Sequence, residues 1–90
     1  MPLEILQSSR FKRDIKRLQK QGKKLADLRT IIHALVEKQP LHPKLRDHKL
    51  MGDWEDYRDC HVGPDWLLIY KVKARQLYLA RTGSHSEIFK

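Results

Sequence analysis

The stretch "DYRDCHVGPDWLLIYKVK", residues 56–73, holds two strand-like runs on either side of Gly63-Pro64. Alternation and β-forming residues broken by turn residues are the signature of a β-hairpin. The sequence predicts strands over about 54–62 and 66–73, with "VGPD" as the turn. A third run at about 76–82 follows the short polar segment "KVKAR", so the three form an antiparallel meander. Period-two geometry puts Asp59 and His61 on one face of the first of these strands and Arg58 and Cys60 on the other. Asp65 lies just beyond the turn, where it can converge on Asp59 and His61.

Outward from the hairpin, the chain toward its N-terminus reads as helical. "PLEILQ" is a first strand, and Ser8 or Ser9 is the N-cap of a helix carrying Phe11, Ile15 and Leu18 at helical spacing. Its other face bears Arg10, Lys12, Arg13, Lys16, Arg17 and Lys20, a basic stripe. Gly22 stops this helix, and a second presents Leu25, Leu28, Ile32 and Leu35 until Pro40 and Pro43 forbid continuation. The two helices form an antiparallel hairpin. His33, within the second, is a surface or boundary residue. Helices first and strands afterwards make an α+β domain, with the N-terminal strand and helical hairpin packed on a small antiparallel sheet. The sheet's other face, or a concavity at its edge, is left for a ligand.

Ninety residues make one domain, spanning 1–90, with one core. No apolar run approaches the roughly 18 residues of a membrane span, and residues 1–10 lack a secretory pattern, so the expectation is a cytoplasmic protein with no membrane partner. The single cysteine, Cys60, has no partner for a disulfide or for Cys-x-x-Cys chemistry, in keeping with a reducing compartment. A net charge of +8 and a pI near 9.9 point to polyanionic partners.

Three chemistries compete for His48, Asp59, His61, Asp65 and His85. A metal site would draw on the histidines and an aspartate, but no spacing matches a strong metal motif, and no cofactor is expected. Nucleophilic catalysis by Cys60 fails on alternation, which turns the thiol away from His61; Cys60 reads as a small buried hydrophobe. Metal-free RNA cleavage needs only a base for the ribose 2′-OH, an acid for the leaving 5′-oxygen and positive charge for the transition state. It also accounts for a basic protein. Phe89 either stacks on a base or docks the tail on the sheet.

"GDWEDYRDCHVGPDWLLIYK", followed by "RTGSHSEIF", resembles the YafQ group of bacterial toxins within the RelE/ParE superfamily. The resemblance runs through the strand, the helical hairpin, "DHKL", "YRDCHVGPDW" and "RTGSH". It implies a RelE-like microbial RNase fold and an mRNA interferase that enters the ribosomal A site, cuts translated mRNA without a metal and is silenced by a cognate antitoxin. Through that antitoxin it would reach operator DNA. By matched motif, the site residues fall on His48, Asp59, His61, Asp65, His85 and Phe89, with Arg81 as the phosphate-contacting arginine. Cys60 stands where a small residue is expected.

On this reading His85 is the general acid and His48 or His61 the general base. Asp59 or Asp65 orients an imidazole, and Phe89 stacks on a base. The stripe from Arg10 to Lys20 grips ribosomal RNA through phosphates. Two other functions share the fold: a ParE-like inhibitor of gyrase without nuclease activity, and an inactive toxin that serves only as corepressor.

Overall fold

Ser8 is where the chain passes from strand to helix. In the computed structural model, which describes residues 2–89, strand β1 (Glu4–Gln7) ends there and helix α1 (Ser9–Lys20) begins. The Ser8 hydroxyl accepts the Phe11 N–H, satisfying one of the donors that a helix N-terminus leaves unpaired. It also donates to the Ala80 carbonyl at 2.7 Å, which ties the cap to the sheet. Phe11 and Leu18 are buried and Ile15 half-buried, as the spacing predicts. Gly22, at φ +78°, turns the chain toward α2 (Ala26–Val36), which buries Leu28, Ile31 and Leu35 and leaves His33 exposed.

The remaining strands are β2 (His48–Lys49), β3 (Arg58–Gly63), β4 (Trp66–Lys73) and β5 (Gln76–Gly83). They form one sheet in the order β1-β5-β4-β3-β2, with β1 parallel to β5 and every other pair antiparallel. This is the expected α+β arrangement. α1 lies along β5 and α2 against β3, so both helices cover one face.

That face carries the main core: Cys60, Leu68, Tyr70, Leu77 and Leu79 from the sheet meet Phe11, Leu18, Leu28, Ile31 and Leu35 from the helices. Each fully buried Leu, Ile or Phe contributes roughly 1.5–3 kcal/mol. On the opposite face Leu67 and Ile69 pack with Ile88 beneath Leu50, Trp54 and Tyr57.

Three elements depart from the sequence expectations. The strand expected from about 54 begins only at Arg58, because Gly52–Trp54 forms a 3₁₀ turn and the Tyr57 N–H bonds back to the Trp54 carbonyl. Backbone donors met locally are not free for a neighbouring strand. His48 and Lys49, ahead of the three strands read from the sequence, add β2 at the sheet edge opposite Asp59 and Arg58. Beyond the last strand the chain turns into a four-residue helix, α3 (His85–Ile88). A capping box starts it: Ser84 accepts the Glu87 N–H, and the Glu87 carboxylate accepts the Ser84 N–H.

One buried residue of α1 is not apolar. Asp14, only 2% exposed, receives two hydrogen bonds from the Arg81 guanidinium (2.8 and 3.2 Å), one from Arg17 (2.7 Å) and one from the Thr82 N–H (3.1 Å). Burial alone would raise its pKa, but the hydrogen bonds from Arg81, Arg17 and Thr82 outweigh it and hold the carboxyl below its ordinary value. Arg17 continues the network to Glu87 at 2.9 Å and to the Thr82 carbonyl at 3.1 Å, and Arg81 reaches the Glu87 carbonyl. Gly83 makes room for this: it sits at φ +149°, and a Cβ there would lie 2.5 Å from Arg17 Nη2 and 2.8 Å from Glu87 Oε1.

Breaking a buried ion pair from one side costs about 3–5 kcal/mol, so Asp14→Asn should lower the unfolding free energy by about 3 kcal/mol in urea titrations. A depressed carboxyl pKa contributes stability above its unfolded value and loses it as pH falls through the folded one. The parent should therefore weaken below about pH 4, and the variant should lack this part of the acid dependence.

Candidate active site

β2, β3 and α3 bring three imidazoles into a row. His48 projects from β2 and His61 from β3, with ring centroids 6.4 Å apart; His85, the first residue of α3, has its ring 6.2 Å from that of His61. Phe89 continues the row, 6.1 Å from His85, and Trp54 props Phe89 edge-on at 6.3 Å while packing edge-on against Tyr57 at 5.2 Å. Phe89 keeps 37% of its surface in solvent, so the row ends in a partly open aromatic ring. The structure thus brings His48, Asp59, His61, Asp65, His85 and Phe89 into one neighbourhood. Trp54 supports the exposed ring.

The two aspartates serve different imidazoles. Asp65, at φ +47° in the hairpin turn, accepts the His85 N–H at 3.1 Å and meets His85 Nδ1 at 3.2 Å. Those hydrogen bonds, the backbone one foremost, hold the exposed Asp65 carboxyl below its ordinary pKa. An ionised carboxylate only accepts, so His85 Nδ1 carries a proton. The sequence reading had Asp65 converging on Asp59 and His61; it instead holds His85, because α3 brings His85 over the turn.

Asp59 lies beneath the row, 4% exposed, with Oδ2 3.9 Å from His48 Nε2. Its Oδ1 is buried and has no hydrogen-bond partner among the described residues. Burial raises its pKa, and the three neighbouring imidazoles, His48 foremost, act against the rise without cancelling it. His48 Nδ1 lies 2.6 Å from the Arg46 carbonyl oxygen. A carbonyl only accepts, so Nδ1 carries the proton and a neutral His48 presents a bare Nε2 toward the Asp59 side. A proton taken up there would find a carboxylate close by.

Alternation on β3 is as read from the sequence. Cys60 is fully buried in the core between sheet and helices, where burial pushes its thiol up to about 12, and no thiolate is available for attack. Arg58 donates to Asp47, which also accepts from the Tyr70 hydroxyl at 2.6 Å.

Two expected binding residues are engaged elsewhere. Arg81, placed by resemblance on phosphate, spends its guanidinium on Asp14, with only 13% of its side chain exposed. Arg17, counted in the basic stripe, is held by Asp14 and Glu87. Both engagements have one cause, the buried Asp14 carboxylate. Its signal was in the sequence: it is the one acid in α1, three residues after Phe11 and four before Leu18, on the apolar side. Arg10, Lys12, Arg13, Lys16 and Lys20 remain exposed.

Residues 3–90 match the family model described as the bacterial toxin of type II toxin-antitoxin system, YafQ. The mRNA interferase toxin YafQ of Escherichia coli K12 is 39% identical over 87 residues, 96% of this chain and 95% of that one. The crystal structure of the E. coli DinJ-YafQ toxin-antitoxin complex contains a chain that superimposes with a TM-score of 0.91 at 37% identity, over 100% of both chains. A metal-bound toxin from Helicobacter pylori gives 0.90 at 45% identity, covering 97% of this chain and 99% of that one. Among the described residues of the present chain, no three His, Cys, Asp or Glu side chains are grouped so as to hold a metal ion. No helix among them is long and apolar enough to cross a membrane.

The raised pKa of Asp59 has a measurable consequence. Folding holds a proton on this carboxyl to a higher pH than the unfolded chain does, so the folded state is disfavoured as pH rises through that interval. Asp59→Asn should therefore melt at a higher temperature than the parent at pH 7, the gain fading as pH falls to about 4, the ordinary carboxyl range. Calorimetry across that range checks both signs.

Proposed function

The chain belongs to the YafQ family of bacterial toxins of type II toxin-antitoxin systems, and is accordingly an mRNA interferase; we propose that it cuts translated mRNA in the ribosomal A site by metal-independent 2′-OH attack. The observation that carries the mechanism is the row of three imidazoles with its outer members held by different groups: His48 by the Arg46 carbonyl above Asp59, and His85 by Asp65.

A phosphodiester over His61 has His48 on one side and His85 on the other. His48 Nε2 takes the 2′-OH proton, and Asp59 stabilises the imidazolium that forms. The 2′-oxygen bonds to phosphorus as the bond to the 5′-oxygen breaks, giving a 2′,3′-cyclic phosphate. His85, oriented by its hydrogen bond to Asp65, delivers a proton to the leaving 5′-oxygen. His61, between them, faces the charge on the non-bridging oxygens, and Phe89 stacks on a neighbouring base, a contact worth about 1–3 kcal/mol where formed. The general base is His48 rather than His61, because the Arg46 carbonyl fixes the tautomer that leaves Nε2 free.

The exposed cations of α1 suit ribosomal RNA phosphates, and their attraction is salt-dependent. The partner that silences the toxin is a cognate antitoxin, as in the related DinJ-YafQ complex, and operator DNA is reached through it. A gyrase-directed toxin would have no use for oriented imidazoles.

His85→Ala and His48→Ala should each slow single-turnover cleavage of ribosome-bound mRNA by about 10²–10⁴-fold, the usual contribution of a positioned acid or base. Mapping 5′ ends on translated and untranslated copies of one mRNA should show in-frame cuts on the translated copy alone. Cuts on both copies, or intact mRNA with loss of supercoiling, would refute the proposal.

A further inference from the structure

With Arg81 committed to Asp14, the positive charge for an RNA phosphate has to come from another part of the site. Four guanidinium groups meet in a depression of about 470 Å³ lined by Arg10, Arg13, Arg17 and Arg81, but it shares no residue with the imidazole row, and Asp14 and Glu87 lie in its wall. A second depression of about 490 Å³ does border the row. Lys44, Arg46 and His61 line it together with Leu45, Val62 and Gly63, and none of its lining residues is acidic.

We infer that Lys44 and Arg46 form a phosphate subsite beside His61, the grip on the RNA backbone that sequence reasoning assigned to Arg81. The inference rests on the RNA-cleaving reading above and names the residues that hold its substrate. Both side chains are exposed, and neither has an ion-pair partner among the described residues. Their placement is built into the fold. Pro43–Leu45 forms a 3₁₀ turn capped by His42, whose Nδ1 accepts the Lys44 N–H at 3.0 Å.

Arg46 ends that turn at φ +51° and ψ +44°, a left-handed conformation unfavourable for any residue with a Cβ. The same residue supplies the carbonyl that holds His48 Nδ1. One strained residue therefore fixes the tautomer of the base through its backbone and presents a cation to the cleft through its side chain. A guanidinium suits a phosphate because its N–H groups can pair two oxygens at once. Asp47, the adjacent acid, does not neutralise it, being occupied by Arg58 and Tyr70.

Binding of a short single-stranded RNA protected by 2′-O-methyl groups, followed by fluorescence anisotropy over a salt series, reads the subsite without cleavage. Lys44→Gln with Arg46→Gln should weaken binding about tenfold and flatten the log–log salt slope by about 1.4, roughly 0.7 for each phosphate contact. Lys44→Gln alone leaves the left-handed residue untouched and should remove about half of that slope change; Arg46→Lys should restore most of the affinity lost at position 46. Unchanged affinity and slope in the double variant would overturn the inference, as would the same loss appearing in Arg81→Gln instead. Cleavage assayed in parallel separates the two claims. A parent that binds RNA through these cations but leaves translated mRNA intact refutes the nuclease reading and keeps the subsite. A parent that cuts, alongside a double variant with the parent's binding, refutes the subsite alone.

Discussion

The Asp14 carboxylate is an anion placed between a helix and a sheet edge, where it is stable only if fully paired. Arg81, Arg17 and the Thr82 N–H meet that demand, and what they do next organises the rest of the molecule. Arg17 reaches Glu87, Glu87 closes the capping box with Ser84, and the box starts the short helix that carries His85 and leads into Phe89. A four-residue helix would not persist by propensity alone. Its position depends on side chains from α1 and β5, so the imidazole proposed as the acid is held by an ion pair on the far side of its own helix.

The sheet separates folding from chemistry by alternation. Cys60 points into the core that the helices complete, while Asp59 and His61 on either side of it point to the other face. That face has a small apolar cluster of its own around Leu67, Ile69 and Ile88, which seats α3 and the turn bearing Trp54. Polar groups there sit at the rim of an apolar floor. Asp59 is the exception: it is buried with one oxygen unpartnered, a destabilising arrangement retained where it faces three imidazoles.

Much of this was legible in the sequence, because the deciding signals are local. The hairpin turn at Gly63-Pro64, the period-two alternation of β3 and the helical spacing of Phe11, Ile15 and Leu18 each depend on near neighbours. The class of fold and the set of site residues followed from them and from the family resemblance. What escaped depends on partners far along the chain. Asp14 binds residues nearly seventy positions away, and its demand for charge engages Arg81, which the family resemblance set on phosphate, and Arg17, which the basic stripe included. β2 is two residues long and exists through its pairing with β3. α3 did carry a local sign, the Ser84-x-x-Glu87 capping box, but the strand before it masked the change of period. The pairing of Asp65 with His85 followed from α3, and with it the division of labour between the two aspartates.

Two imidazoles divide the proposed chemistry, His48 as the base oriented by the Arg46 carbonyl and His85 as the acid oriented by Asp65. The pH dependence of single-turnover cleavage on programmed ribosomes tests it most directly. A bell-shaped profile is expected, losing its acidic limb in His48→Ala and its alkaline limb in His85→Ala. A parent profile with no bell, or one whose limbs survive both substitutions, would contradict the account.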